Sequence, residues 1–155
     1  MTLTDVLGGI YDDTGFKSPC RVATTADLGT SLTGLPVIDG VQLASGDRVL
    51  VWKQTDQTTN GIYVAASGAW SRAIDFSSSA GIVRGTQVYV SDGATSGGVS
   101  FVCLADYPTV GTTAITFTPG GGLSAFALNS LPTSDPLVLG APWNDGGVFA
   151  ISKGP

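Results

Sequence analysis

The sequence contains no histidine and no glutamate, so all twelve acidic residues are aspartates, and it has only three lysines. Glutamate and lysine favour helices and dominate their exposed faces, so little exposed helix is expected. Serine and cysteine hydrolases normally pair the nucleophile with a histidine, and zinc sites favour clusters of His and Cys. We therefore expect no enzymatic activity, no cofactor and no metal site.

Charge is scarce as well, because charged residues make up 12% of the chain and the net charge is −5. The seven cations form no basic run, which argues against nucleic acid as a partner. No apolar stretch approaches the roughly 20 residues that span a bilayer, and no basic, then apolar, leader is visible at the N-terminus. We expect no membrane association. We expect assembly to take place in the cytoplasm.

Cysteine is limited to Cys20 and Cys103. Two cysteines could form one disulfide in an oxidising compartment. Without a secretion signal, the favoured interpretation is two free thiols that pack as small hydrophobic side chains.

The chain is rich in residues that favour strands and turns, including 22 glycines. Residues 35–76 show the pattern most clearly. Pairs typical of tight turns recur at Asp39-Gly40, Asn60-Gly61 and Ser67-Gly68. Short strand-like runs lie between or after them, at 48–53, 62–64 and 69–73. Strands joined by short turns pair antiparallel, so this stretch predicts a meander that forms the nucleus of a β-domain.

Alternating apolar residues predict further strands downstream. Val88 and Val90 share one face of a strand, and a Gly-rich loop separates them from a run that alternates through Phe101. The proline and three glycines at 119–122 then give the strongest boundary signal in the chain. We predict an all-β protein, a small antiparallel sandwich or open barrel. Its parts are an extended N-terminal arm (1–18), the β-domain (19–119), and a linker with a C-terminal β appendage (120–155).

Within the arm, four apolar residues have the i, i+3, i+4, i+7 spacing of a helical stripe. They are Leu3, Val6, Leu7 and Ile10. Gly8 and Gly9 weaken this pattern, and so short a helix is marginal in isolation. The stripe is either part of a frayed terminus or a surface that orders against a partner, and the second interpretation makes these four residues candidate partner-binding residues.

The closing segment, 131–152, carries three prolines that keep the chain extended. An extended segment cannot bury its own apolar groups, so these must pack on the β-domain or on another chain. Trp143 has the largest apolar surface among them, and its indole N–H needs an acceptor. We predict that Trp143 is a partner-binding anchor.

Other candidate functional side chains have simpler interpretations. Nearly all aspartates stand beside Gly, Thr or Ser, as turn aspartates do, rather than as an acid and base pair of a glycosidase. Trp52 and Trp70 on strands are more typical of a core than of a sugar platform. Arg48, Lys53 and Arg72 flank apolar runs, and we interpret them as solvated strand ends.

Several segments resemble a module of phage and prophage virion proteins, especially tail-fibre and head-fibre or spike proteins. The matching segments are Val22–Thr25, Ile38–Val41, Gly46–Val51, Asn60–Val64 and Gly68–Phe76. The closing stretch Leu131–Ser152 resembles an ending found on short phage structural proteins, head-fibre proteins among them. The stretch 22–76, which contains these segments, and Leu131–Ser152 together cover a little under half of the chain.

The resemblance implies a structural virion component, most often a head fibre or spike, or else a tail-fibre base, that acts by assembly. It implies other virion proteins as partners (capsid, fibre or tail components), localisation in the virion, a homo-oligomer with a trimer favoured, and no catalytic residues. The alternative class is an adhesin that binds a receptor or a host-surface glycan through surface aromatics. A polysaccharide depolymerase ranks third, because the catalytic residue types are missing.

Overall fold

The computed structural model describes residues 15–120, 131–146 and 148–155, so the predicted stripe of Leu3, Val6, Leu7 and Ile10 lies outside it. The described chain is almost entirely β. Its strands are β1 (Phe16–Cys20), β2 (Val22–Ala23), β3 (Thr33–Gly34), β4 (Val37–Ile38), β5 (Val41–Gln42), β6 (Arg48–Val51), β7 (Gly61–Val64), β8 (Ala66–Ala69), β9 (Ser71–Arg72), β10 (Gln87–Val90), β11 (Val99–Cys103), β12 (Phe117–Gly120), β13 (Pro142–Asp145) and β14 (Val148–Ile151). The helical segments of the described chain are three single 3-10 turns, Gln57–Thr59, Ile74–Phe76 and Ser79–Gly81. The all-β prediction is confirmed.

Two four-stranded sheets organise the chain, in the orders β1-β10-β11-β12 and β2-β6-β7-β9. Three two-stranded pairs accompany them: β3 with β8, β4 with β5, and β13 with β14. No barrel closes among the described strands. The arrangement is therefore sandwich-like, with the largest core formed by side chains from both four-stranded sheets.

The apolar run of β6 does not alternate because both faces of this strand are buried. Leu50 packs into the larger core, opposite Ile62 of β7. Val49 and Val51 point to the other side and join a second core. The larger core contains Cys20, Ala23, Leu50, Ile62, Ala73, Phe76, Ile82, Val88, Val90, Phe101, Cys103, Ile115 and Phe117. The second contains Val22, Ile38, Leu43, Val49, Val51, Tyr63, Ala65 and Trp70.

Two strand pairs are parallel, which the meander prediction did not include. β1 runs parallel to β10, and β2 runs parallel to β6. The antiparallel partners then follow, β11 beside β10 and β7 beside β6. Each four-stranded sheet thus combines one strand from residues 16–23 with a later antiparallel pair.

Arg21 is the single residue between β1 and β2, and it connects the two sheets. Its backbone N–H donates to the carbonyl of Arg48 at 2.8 Å, and its carbonyl accepts from the N–H of Asp92 at 2.8 Å. Its guanidinium lies 2.6 Å from a carboxylate oxygen of Asp47 and 3.2 Å from one of Asp92. The chain therefore leaves one sheet and enters the other at a residue held by both.

Two local predictions were wrong. Ser67-Gly68 does not form a turn but lies inside β8, which pairs antiparallel with β3. Phe16–Ser18, assigned to the arm, belong to β1, where Phe16 pairs with Gln87. Both errors concern pairing with strands far along the chain, which local turn and terminus signals cannot indicate.

The chain divides into two compact units between Pro119 and Gly120. Within the second unit, β13 and β14 form an antiparallel hairpin in which Asp145 pairs with Val148. Gly146, in the connecting loop, has a φ of 60°, a left-handed conformation that suits glycine. Residues 142–151 of the closing segment thus form a hairpin, in agreement with the predicted C-terminal β appendage.

Both cysteines are free and buried in the larger core, which is the arrangement favoured from the sequence. Burial raises the pKa of the Cys20 thiol to about 12, and the nearby Arg48 partly opposes this effect. A thiol with such a pKa is protonated at neutral pH and behaves as a small apolar group.

Candidate functional site

Apolar side chains are exposed throughout the described part of the second unit. Leu139 is 80% exposed, Val148 65% and Val138 60%. Leu137, Phe149 and Ile151 are also exposed. These exposed residues fall in two short stretches, 137–139 and 148–151, and exposed apolar groups of this number are typical of an interaction surface. We call these six residues the apolar hairpin surface.

The residues that are buried in this unit are polar. Among its described residues, the buried ones are Asn144 and Ser152, at 7% and 1% exposure. The backbone N–H of Asn144 donates to the carbonyl of Pro132, and that of Ser152 to the carbonyl of Ala141. The described part of the unit is therefore held by hydrogen bonds and strand pairing, with six large apolar side chains exposed.

Trp143, the predicted anchor, lies in β13 opposite Ala150 and is partly buried. The structure thus places this residue within the hairpin that carries the apolar hairpin surface.

A different kind of site lies in the first unit, in a pocket of about 390 Å³ beside Trp52. Its lining combines apolar groups with four hydroxyls, and it comprises Thr24, Thr25, Trp52, Lys53, Thr95, Ser96, Val99, Phe101 and Pro119. These residues come from the ends of β2, β6 and β12, from β11 and from the loop that precedes β11. A second pocket of about 270 Å³ shares Trp52 and Lys53 and is lined also by Gln54, Gln57, Thr116 and Phe117. We call the two together the Trp52 pockets.

The position of Trp52 is fixed by backbone and ring contacts. Its backbone N–H donates to the hydroxyl of Thr24 at 3.1 Å. Its ring meets that of Phe101 edge to face, with centroids 4.9 Å apart. The Nζ atom of Lys53 lies 3.9 Å from the centroid of the Trp52 ring, a cation–π arrangement. The indole is thus a wall of the pockets rather than a fully enclosed core residue.

Some aspartates accept hydrogen bonds from residues close in sequence, and others accept them from distant segments. Asp56 accepts from the backbone N–H and hydroxyl of Thr58, two positions away, and these bonds lower the pKa of its carboxyl. Asp39 instead accepts from the backbone N–H groups of Thr95 and Ser96, at 3.0 and 2.8 Å. Burial alone would raise the pKa of Asp39, but these hydrogen bonds outweigh it and hold that pKa below its ordinary value. The turn interpretation accounts for Asp56, whereas Asp39 joins two loops.

The interpretation of Arg48 and Arg72 as solvated strand ends was wrong. Arg48 is partly buried and donates to both carboxylate oxygens of Asp75, at 3.1 and 2.8 Å. Arg72 donates to the carbonyls of Asn60 and Thr58. Both guanidiniums satisfy groups on neighbouring segments, which residue spacing alone does not indicate. Lys53 is exposed, as predicted.

No group of three or more His, Cys, Asp or Glu side chains is placed to hold a metal ion in the described part of the chain. Within the same ranges, no helix has the length and apolar character needed to cross a membrane.

Comparison with known proteins gives no match to a family model, to a curated protein or to a solved structure. The site must therefore be interpreted from its own geometry. Sequence reasoning missed the Trp52 pockets because they draw on several separate segments. The one available signal was the adjacent aromatic and cation at Trp52 and Lys53, at the point where an apolar run gives way to polar residues.

Proposed function

We propose that this protein is a structural component of a phage or phage-like particle. The first-ranked role is a head fibre or spike, and the second is a tail-fibre base. In this role it acts by assembly and not by catalysis. The proposal combines the sequence resemblance with one observation, the apolar hairpin surface on a unit whose buried residues are polar. Such a surface is stabilised when another chain covers it.

The partners proposed are other virion proteins, namely capsid, fibre or tail components, and further copies of this chain. Fibre-like proteins commonly form closed cyclic oligomers, and the resemblance favours a trimer. The proposed location is the virion, after assembly in the host cytoplasm. The predicted arm residues Leu3, Val6, Leu7 and Ile10 would provide a second contact with the particle.

The experiment that tests the role is detection of the chain in purified particles. An antibody against residues 15–120 should detect the protein in particles banded on a density gradient, and gold labelling should place it on their surface. A protein that stays in the soluble fraction while particles form normally would contradict the proposal.

The contribution of the arm can be tested separately by deleting residues 1–14. This deletion leaves Gly15, whose carbonyl accepts from the N–H of Gln87, and all of β1. We expect a folded protein with an unchanged melting temperature that no longer incorporates into particles. Normal incorporation would mean that the arm has no docking role.

A further inference from the structure

Asn60 uses both ends of its side-chain amide inside the first unit, where it is 1% exposed. Its Oδ1 atom accepts from the backbone N–H of Gln54 at 3.1 Å, and its Nδ2 atom donates to the carbonyl of Ile115 at 2.9 Å. Ile115 is itself fully buried, and its N–H donates to the carbonyl of Gln57 at 3.0 Å. Position 60 therefore needs one acceptor and one donor, and an amide supplies both.

The residue that follows is a glycine, and the fold requires it. Gly61 comes just after the 3-10 turn Gln57–Thr59 and opens β7, where it pairs with Val51. Its φ is 151°, and a Cβ atom here would collide with Nη1 of Arg72. That guanidinium nitrogen donates to the carbonyl of Asn60 at 2.9 Å. The structure thus depends on the amide at 60 and on the absence of a side chain at 61.

An asparagine followed by glycine is the pair most prone to deamidation in an unfolded chain, since glycine adds no side chain and leaves the backbone mobile. The backbone nitrogen of the glycine attacks Cγ of the asparagine and forms a succinimide ring. The proton of that nitrogen leaves with the side-chain nitrogen as ammonia. Water then opens the ring to aspartate or isoaspartate. Asn60-Gly61 is the only Asn-Gly pair in the chain.

The folded chain blocks this reaction and cannot accept its product. Two hydrogen bonds hold the amide, Gly61 is held by strand pairing, and the site is buried from water. An ionised carboxylate at position 60 has no donor, so it would place an oxygen against the carbonyl of Ile115 in a buried site. Isoaspartate would also lengthen the backbone by one atom and displace the start of β7 relative to Val51.

We infer that Asn60-Gly61 is a modification site that folding closes and unfolding opens. A chain that stays unfolded acquires an acid at position 60 and then cannot regain both hydrogen bonds, so its unfolding becomes irreversible with time. The site also stays open during part of synthesis, because Ile115 is made 55 residues after Asn60. This inference is independent of the proposed assembly role, because every contact involved belongs to the first unit of a single chain.

The first test follows the natural full-length chain by peptide mapping and mass spectrometry, at mildly alkaline pH with a reducing agent. The acid at residue 60 should accumulate at least about tenfold faster in guanidinium chloride than in native buffer, because the amide reacts only where its contacts open. The yield of refolded protein should fall in step with this conversion. A chain kept in guanidinium chloride at mildly acidic pH, where the reaction is slow, is the control and should refold in full.

Three results of this test would overturn the inference. They are equal rates of conversion in the two solutions, modified chains that refold with an unchanged melting temperature, and an equal loss of yield in the acidic control.

The second test introduces the product directly. Asn60→Asp should lower the melting temperature near neutral pH, and this difference from the natural chain should shrink on acidification. The reason is that a protonated carboxyl group can accept from Gln54 and donate to Ile115, whereas the ionised form cannot donate. The charged groups nearby are Arg72, which stays protonated throughout, and Asp56 in the adjoining turn, which titrates in the natural chain as well.

Asn60→Ala is the matched control, because it removes the same amide without adding a carboxyl group. It should lower the melting temperature at every pH, with no recovery in acid. An Asn60→Asp protein as stable as the natural chain at neutral pH, or one whose deficit does not shrink in acid, would contradict the inference. If Asn60→Asp does not fold at any pH, the inference is likewise overturned, since the protonated acid should replace the amide.

Discussion

The described parts of the two units differ in whether they bury large apolar side chains. The first unit contains every fully buried apolar residue of the described structure, in two clusters that cover both faces of β6. The second buries Asn144 and Ser152 and exposes six large apolar side chains. Hydrophobic burial dominates the stability of folded domains, and a lone two-stranded hairpin is marginal in water. The first unit therefore has the core of an independent domain, whereas the described residues of the second form no such apolar core.

The largest expected effect comes from removing a core ring of the first unit. Phe76 is fully buried and packs against Phe117, with ring centroids 5.7 Å apart. Phe76→Ala should lower the free energy of unfolding by about 3–5 kcal/mol, through lost burial and a residual cavity. Chemical denaturation with two spectroscopic probes measures this change.

Ile74→Ala provides the matched control for that change, because Ile74 lies in the same 3-10 turn and is 92% exposed. Its effect should stay within about 0.5 kcal/mol. Equal losses for the two variants would mean that the core assigned to the first unit is wrong.

A smaller loss is expected at the loop contact of Asp39. Asp39→Ala leaves the N–H groups of Thr95 and Ser96 without their acceptor. It should lower the free energy of unfolding by about 1–3 kcal/mol. Asp39→Asn keeps one amide oxygen and tolerates the positive φ of this residue, so it should cost less. An Asp39→Asn protein less stable than Asp39→Ala would contradict the assigned contact.

Acid should weaken the first unit through the same carboxyl group. The pKa of Asp39 in the folded protein lies below its ordinary value of 3.8, so the unfolded chain binds more protons in the range between the two. The stabilisation is therefore fully present above about pH 4 and is lost as the pH falls through the folded pKa. Thermal melts from pH 5 to pH 2 should show a steeper fall for the natural chain than for Asp39→Asn.

Trp143→Ala sharpens the comparison from the side of the second unit. Because Trp143 is only partly buried, its loss in the isolated chain should fall short of the 3–5 kcal/mol typical of a fully packed ring. If another subunit covers Trp143, the main effect is weaker assembly that a higher protein concentration restores. Light scattering across a concentration series measures this. An effect on melting temperature that is equal at every concentration would place the packing within one chain.

The smallest effect on folding is expected for the apolar hairpin surface itself. Leu139→Ser should change the stability of the isolated chain by no more than about 0.5 kcal/mol, since Leu139 is 80% exposed. It should nevertheless reduce self-association or particle binding, because it places a hydroxyl in a surface that a bound partner would bury away from water. Ile74→Ser, in the first unit, is the control and should leave association unchanged. A strongly destabilised Leu139→Ser monomer would show that the second unit has a core of its own.

Sequence reasoning succeeded where pairing is local. The alternation of Val88, Val90 and Phe101 predicted buried faces and a hairpin, and all three are buried in β10 and β11. These signals depend on side-chain period and turn residues, which a short window contains. The all-β class followed from composition for the same reason.

Features that depend on distant segments were not predictable. The parallel pairing of β1 with β10 joins residues about seventy positions apart. The sequence of residues 16–20 does not indicate which strand they pair with. Ser67-Gly68 has turn composition but is drawn into β8 by pairing with β3. The Trp52 pockets form where the ends of three strands and a loop converge, so their existence is a tertiary property.

The position of Arg21 has a consequence for how the protein forms during synthesis. The strands on either side of it are the first part of the described chain to leave the ribosome, yet both of their partners come later. Asp92, which binds Arg21, is made 71 residues afterwards. In a nascent chain, residues 22–23 therefore stay unpaired until β6 emerges, and residues 16–20 until β10 emerges. Neither four-stranded sheet is complete before these early strands have paired. β10 can pair with β1 as soon as it emerges, so this sheet begins from a strand made about seventy residues earlier.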